Sequence, residues 1–436
     1  MQISLPNKWT PRAYQLPAWK VMEQQKQRRG VMVWHRRAGK DLTAINFIGV
    51  AAHLRIGLYW HLLPTYNQGR KIVWNGFTKD GRRFLDHFPK ELIAKQNDTD
   101  MRITFKNGSI YQVIGTDDCD KLVGTNPIGC VFSEYSLHDP KAWDMIRPIL
   151  AENDGFSYFI YTPRGHNHGY RLWKMAKDNP KWFCSTLIAG SGEGCTKRED
   201  GTPVISDEAI QDELDAGMSQ ALIDQEFFCS FDSPIEGAYY GEILLKLEKE
   251  GRVRDVPWDP KLPVNTAWDL GMDDSTSIIF YQQVAQEIRI IDYYENFGEG
   301  LQHYAKELDK KDYVYGTHNV PHDAAVRELG TGKSRKEVAR SLGMRWSVGK
   351  KRGVEDGIQA VRDCLYRCFI DKEKAARLVD ALSQYRKEYD EEKKIFSSAP
   401  VHDWTSHGAD AMRTLAWCFR DKPKNKKPPQ DKAIEN

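Results

Sequence analysis

The sequence predicts an α/β protein of two domains, a parallel α/β domain followed by one that opens on an antiparallel meander. Three observations carry this. Short apolar runs alternate with helical patterns from residue 31 to 165, which argues for a parallel sheet. From residue 264, three strand-like runs (VNTAWDLG, TSIIFYQQVA, EIRIIDYYEN) follow one another too closely for helical crossovers, so they are antiparallel. Between these regions, the Pro-rich GRVRDVPWDPKLP (251–263) marks a boundary. At ~100–200 residues per domain, 436 residues hold two or three domains.

The elements follow in order. VMVW (31–34) is a short apolar strand, and DLTAINFIGVAAHL (41–54) is helical. IGLYWHLLP (56–64), ITFKNGSIYQVIG (103–115), IGCVFSE (128–134) and FSYFIYTPRG (156–165) read as strands or turns. SGEGCTKREDGTP (191–203) is a loop. ISDEAIQDELDAGMSQALIDQEFF (205–228) is a helix pair with Ser206 as N-cap and acids in the first turn. After the meander, LQHYAKELDKK is helix, VYGTHNVPHD strand and loop, SRKEVARSLG helix, and SHGADAMRTLAWCF (406–419) the last helix. The Pro- and Lys-rich tail KPKNKKPPQDKAIEN (422–436) is expected to be disordered.

Composition narrows the class. With 40% hydrophobic and 28% charged residues the chain is not disordered over most of its length. No apolar run reaches the ~18 residues of a membrane span. MQISLPNKWTPRAYQ lacks the basic and apolar regions of a secretory leader. Sixty-three Lys and Arg against 61 Asp and Glu leave +2, an average that says nothing against nucleic acid. Arg36, Arg37, Lys333, Arg335, Lys336 and the run Lys350–Arg352 can face phosphate while acids collect elsewhere. Eight cysteines (119, 130, 184, 195, 229, 364, 368, 418) form no CxxC pair, which argues against a zinc ribbon and fits a reducing compartment. Cys364 and Cys368 can share a helix face and read as small core residues.

WHRRAGKD (34–41) lies between an apolar strand and a helix, the setting of a phosphate-binding loop. There backbone N–H groups at the helix start face phosphates, and Lys40 adds a point charge. Gly39 and Lys40 are in place; the usual first glycine is Trp34 and the usual Ser/Thr is Asp41. VFSE (131–134) is an apolar strand ending in an acid, so Glu134 is the candidate to orient an attacking water. The Mg²⁺-associated aspartate expected just before it is Ser133, and the Asp41 carboxylate can compensate as a hard-cation ligand. Arg36 or Arg37 can stabilise transition-state charge or bind phosphate without catalysis. Gln15 can read adenine through its amide with Tyr14 stacking, and Thr162, opening TPRG, can report hydrolysis from a strand end.

The second half offers carboxylates. Asp269 ends the first meander strand, Asp323 follows a strand in VPHDAA, and Asp410 lies in the last helix. Clustered aspartates repel unless Mg²⁺ or Mn²⁺ neutralises them, and two such ions can drive phosphodiester hydrolysis. Asp273, Asp274 and Asp292 are weighed as structural, and His407, one helical turn before Asp410, as a contact to metal or DNA.

The ordered set YQ, HRRAGKD, VFSE, TPRG, WDLG, PHDAA and HGADAMR, spread over residues 10 to 420, resembles the large subunit of tailed-bacteriophage terminases. That resemblance implies an N-terminal P-loop, RecA/helicase-like ATPase domain (1–195), a helical linker subdomain (196–255), a ribonuclease H-like nuclease domain (256–421) and a basic tail (422–436). It implies ATP bound by Gln15 and by Arg36, Arg37, Ala38, Gly39, Lys40 and Asp41, with Thr162 beginning a coupling motif. Glu134 would be the catalytic glutamate, Arg36 or Arg37 a cis arginine finger, and Asp269, Asp323 and Asp410 the nuclease ligands of Mg²⁺ or Mn²⁺. The implied function is ATP-driven movement of viral double-stranded DNA into a procapsid and metal-dependent cutting of concatemers. The implied partners are the portal protein, the small terminase subunit and further copies of the chain in a pentameric ring. The implied location is the host cytoplasm at the portal, away from membranes and absent from the mature virion. Two rivals remain: a helicase-like DNA-dependent ATPase with an inactive ribonuclease H-like domain, and a non-catalytic DNA-binding assembly protein.

Overall fold

The computed structural model describes residues 3–420 except 25, 118–121, 123, 234, 272–274, 328–331 and 391–394. Cys119, Asp273, Asp274 and the tail 422–436 lie outside the described residues. The chain forms two compact units, Met1–Glu236 and Gly237–Asn436, so segment 196–255 is divided between them.

The first unit is built on an eight-stranded sheet. Its strands are β1 (Arg29–Trp34), β2 (Leu58–Leu63), β3 (Ile93–Asn97), β4 (Arg102–Phe105), β5 (Ile110–Gly115), β6 (Pro127–Ser133), β7 (Phe156–Tyr161) and β8 (Trp182–Leu187), in the order β3-β4-β5-β2-β6-β7-β1-β8. From β5 to β8 all neighbours are parallel; β4 and β3 extend one edge antiparallel. ITFKNGSIYQVIG therefore makes two strands, β4 and β5, folded back on each other. Successive β1 residues face opposite layers: Val31 and Val33 join a core with Phe132, Trp143 and Phe159, while Met32 and Trp34 join one with Phe47, Ile48 and Tyr158. Burial on both faces explains why VMVW reads as a continuous apolar run. Strand β7 lies between β1, which feeds the phosphate loop, and β6, which ends at Glu134. This order sets the loop, Glu134 and Thr162 at the C-terminal ends of adjacent parallel strands, where open α/β sheets bind ligands. The first unit has the P-loop α/β fold the sequence predicts.

The second unit carries β9 (Val253–Arg254), β10 (Val264–Asp269), β11 (Thr276–Val284), β12 (Glu287–Asn296), β13 (Tyr315–Val320), β14 (Trp346–Val348) and β15 (Cys368–Asp371), ordered β14-β13-β10-β11-β12-β15-β9. Strands β10, β11 and β12 form the expected antiparallel meander; β13 adds parallel to β10 and β14 parallel to β13. That is the ribonuclease H-like arrangement. The closing helix Thr405–Arg420 puts Ala409, Met412 and Leu415 into one core with Ile279, Tyr281 and Ile290. On the opposite face Trp268, Ile278, Phe280 and Tyr304 form another. Cys364 and Cys368 are both buried and free, but they do not share a helix face: the helix Val354–Leu365 ends before Cys368 opens β15.

Candidate nucleotide and metal sites

The phosphate loop turns between β1 and the helix Lys40–Leu54 through two left-handed residues, Arg37 (φ 71°) and Gly39 (φ 82°). A Cβ at Gly39 would stand 2.8 Å from Gln15 Nε2, so glycine is required there for both reasons. Gln15 is buried; its amide donates to Ala38 O at 2.8 Å and its carbonyl accepts from Arg12 N at 2.9 Å. The Tyr14 hydroxyl donates to the same carbonyl at 3.3 Å. These two side chains brace the loop.

Lys40 is 7% exposed and directs its ammonium back over the loop. Nζ donates to Trp34 O at 3.0 Å, His35 O at 3.4 Å and Thr162 Oγ1 at 3.1 Å. A buried ammonium needs its three donors satisfied, and phosphate oxygens can replace these acceptors. Asp41, in the first helical turn, accepts from Ser133 Oγ at 2.5 Å and lies 3.3 Å from His61 Nε2. Burial opposes its charge, but the bonds from His61 and Ser133 win and hold the carboxyl below the usual range.

Glu134 sits in the left-handed region (φ 56°, ψ 42°), which turns its side chain off the end of β6. Its Oε2 is buried without a hydrogen-bond partner among the described residues. An orphaned carboxylate oxygen beside a phosphate loop fits a water-orienting role. His138 fixes the preceding carbonyl: Nε2 donates to Ser133 O at 2.8 Å, and Nδ1 accepts from the Thr116 hydroxyl at 2.9 Å. Burial lowers the pKa of His138 to about 3, so it stays neutral.

Arg36 and Arg37 are exposed on the loop. Arg36 Nη1 lies 3.8 Å from Glu226 Oε2, and its backbone N donates to Glu226 O at 2.9 Å. Glu226 ends the helix Gln220–Glu226 of the predicted helix pair. Sequence reading missed Glu226, His61 and His138, along with the pairing of Asp41 with Ser133. None carries a motif, and apart from His138, which follows VFSE by four residues, each meets its partner only through the fold.

In the second unit Asp269 ends β10, and Asp323 lies in the turn His322–Ala325 just after the neighbouring β13. Asp410 is on the closing helix, which packs on β10. Burial raises the carboxyl of Asp269 despite His407, whose Nδ1 is 3.8 Å from Asp269 Oδ2. Burial, with Asp269 nearby, raises Asp410 to about 6 even though Arg413 is ion-paired to it. Asp323 Oδ1 is buried without a partner among the described residues, while Oδ2 stands 4.0 Å from Arg335 Nη1. The aspartates thus gather at one end of the sheet and feel one another's charge. Among the described residues, however, no three His, Cys, Asp or Glu side chains already form a metal cage. Arg413 is ion-paired to Asp410. The donor set itself, acid-rich with an orphaned oxygen, fits a divalent cation. Asp292 is ion-paired to Lys311 and is structural.

No family model matches the chain. A curated relative, the terminase large subunit of Escherichia phage T5, is 23% identical over 339 residues, covering 73% of this chain and 72% of that protein. Among solved structures, the ADP complex of a large terminase from a thermophilic bacteriophage aligns with 95% of this chain and 100% of its own, at 16% identity and TM-score 0.41. The cobalt-bound large terminase nuclease of phage G20c aligns with 43% of this chain and 99% of its own, at 13% identity and TM-score 0.30. No helix among the described residues is long and apolar enough to cross a membrane. The motif order and the relative from phage T5 agree: this chain is similar to the phage terminase large subunits.

Proposed function

We propose that the chain is the motor and nuclease of viral DNA packaging. The first unit hydrolyses ATP to drive double-stranded DNA into a procapsid, and the second cuts concatemeric DNA with Mg²⁺ or Mn²⁺. The observation that carries the reading is the convergence at the C-terminal ends of the first sheet's adjacent parallel strands. The Lys40 ammonium bridges the loop carbonyls to Thr162, while the unpartnered Glu134 oxygen projects from the end of β6.

In this reading Gln15 and Arg36 to Asp41 hold the nucleotide. Lys40 exchanges its contacts to Trp34, His35 and Thr162 for phosphate oxygens. Releasing Thr162 from Lys40 frees the start of TPRG, which links phosphate occupancy to movement of that segment. Glu134 holds the attacking water, and Arg36 or Arg37 meets charge developing on the transferred phosphoryl group. Asp269, Asp323 and Asp410 hold the cation in the nuclease, where it would activate water and steady the leaving oxygen. The portal, the small terminase subunit and further copies in a ring are the partners that go with this reading, in the host cytoplasm. Contacts to the phosphate backbone suit a motor that is indifferent to sequence.

The test is a double dissociation in the full chain. Lys40→Ala abolishes ATP turnover and leaves Mg²⁺- or Mn²⁺-dependent plasmid cutting. Asp323→Ala does the reverse. ATP turnover surviving Lys40→Ala, or nicking surviving Asp323→Ala, overturns the corresponding assignment.

A further inference from the structure

In most P-loop proteins the residue after the loop lysine is Ser or Thr, and an acid on the neighbouring strand completes the cation site. Here the two side chains have changed places. The loop position holds Asp41, and the strand position before the catalytic-type glutamate holds Ser133. Ninety-two residues apart in sequence, they meet: Ser133 Oγ donates to Asp41 Oδ1 at 2.5 Å.

We propose that this is a reciprocal exchange: Asp41 supplies the carboxylate, and Ser133 the hydroxyl, of the pair that takes the divalent cation of a bound nucleoside triphosphate. The proposal rests on the nucleotide-binding reading of the first unit and names how that site holds its metal.

Four observations support it. The donor inventory is conserved through the exchange, one carboxylate and one hydroxyl in contact, so a hard cation meets the same charge and oxygen donors. The helix start is a good place for the acid, because the macrodipole favours a carboxylate in the first turn. The acid is also oriented from behind. His61 Nε2 donates toward Asp41 Oδ1 at 3.3 Å, and its Nδ1 accepts from the Tyr111 hydroxyl at 3.2 Å. Such a buried relay fixes ligating carboxylates in metal sites. Finally, both bonds fall on Oδ1, and Oδ2 takes none among the described residues, which leaves one oxygen for a cation.

The opposing reading is a staple that only ties helix to strand. The exchange predicts something a staple does not: reversing it restores metal binding. The test compares Asp41→Thr, Ser133→Asp and the double variant Asp41→Thr/Ser133→Asp in the full chain. The probe is Mn²⁺, followed by electron paramagnetic resonance with ADP or a non-hydrolysable ATP analogue, alongside metal-free nucleotide binding and thermal melting. Each single variant weakens nucleotide-dependent Mn²⁺ binding by about tenfold or more, the scale of a lost ligand or its orienting partner. The double variant returns to within about threefold of the parent, less than 1 kcal/mol at tenfold per 1.4 kcal/mol. Metal-free nucleotide binding, measured for every variant, is the baseline, and the loss of Mn²⁺ binding in the single variants exceeds any change in it. Unchanged Mn²⁺ binding in Asp41→Thr, or a folded double variant no better than the singles, overturns the exchange. A parent chain that binds no nucleotide overturns the functional reading beneath it. Should the double variant not fold, Asp41→Asn decides. It keeps the Ser133 hydrogen bond but removes the charge, so undiminished Mn²⁺ binding there also overturns the proposal.

Discussion

Arg164 Nη1 donates to Glu226 Oε1 across 2.5 Å, and the other oxygen of that carboxylate faces Arg36 Nη1 at 3.8 Å. One buried acid thus ties the TPRG segment and the phosphate loop to a helix outside the parallel core. Burial disfavours the Glu226 charge, yet Arg164 and then Arg36 hold its carboxyl below the ordinary range. Removing one partner of a buried pair strands the other. Glu226→Ala therefore costs about 3 kcal/mol, and Arg36→Ala, at an exposed guanidinium, under about 1 kcal/mol. Because the folded pKa is lowered, the contribution is present above the ordinary Glu range near ~4 and is lost as pH falls below it. Urea unfolding at neutral and acid pH checks both. Equal costs for the two variants would refute the clamp.

Glu134 is held at a backbone conformation that favours glycine, and its free oxygen shows what that conformation achieves. A non-glycine residue in the left-handed region costs of order 1 kcal/mol or more. Glu134→Gly is expected to raise first-unit stability by about 1 kcal/mol while losing ATP turnover. Glu134→Gln keeps nucleotide affinity and loses turnover by about 10²–10⁴-fold, the range of a general base. Denaturation and steady-state hydrolysis measured together check this trade-off; stability gained with turnover intact would rule out the catalytic assignment.

What the sequence revealed follows burial. Strands β1, β6 and β7 read clearly because both faces are covered, and the meander because its runs are long and closely joined. Edge strand β8 (Trp182–Leu187) escaped notice because its residues are mostly half-buried and its apolar run, Trp182 to Cys184, is only three residues long before Ser185 and Thr186 interrupt it. Strands β9, β14 and β15 are too short for periodicity to register. The helix Val354–Leu365 was findable, since Ile358, Val361 and Leu365 recur at helical spacing and all enter the core. Lys40, Glu134 and the three aspartates stand out because motif context marks them. Glu226 and the Asp41–Ser133 contact stay hidden, because only tertiary folding creates them.

Gln15 spends its amide on the loop, donating to Ala38 O and accepting from Arg12 N. Its removal should act through loop geometry more than through base recognition. Gln15→Ala is expected to weaken ATP and GTP binding alike, by about tenfold for a hydrogen bond worth ~1 kcal/mol and the slack it leaves. Titration with both nucleotides checks this. Loss confined to ATP would instead show that the amide reads adenine.

In the second unit protons and metal compete for the same carboxylates. Burial, with Asp269 nearby, raises Asp410 to about 6, and Asp269 shifts the same way. A raised carboxyl favours its protonated form in the folded state, so metal-free stability from this group is fullest below the ordinary Asp range near ~4 and declines as pH rises through 6. A cation reverses that penalty by neutralising the charge. Mn²⁺ in the absence of nucleotide should therefore raise the melting temperature at pH 8 and have little effect at pH 5, where protons hold the site. Asp410→Asn should melt higher than the parent in chelator at pH 8, less the cost of stranding Arg413, and should gain nothing from Mn²⁺. Calorimetry over pH 5 to 8, with Mn²⁺ and with chelator, measures this. A metal effect equal at both pH values, or retained by Asp410→Asn, would remove Asp410 from the metal site.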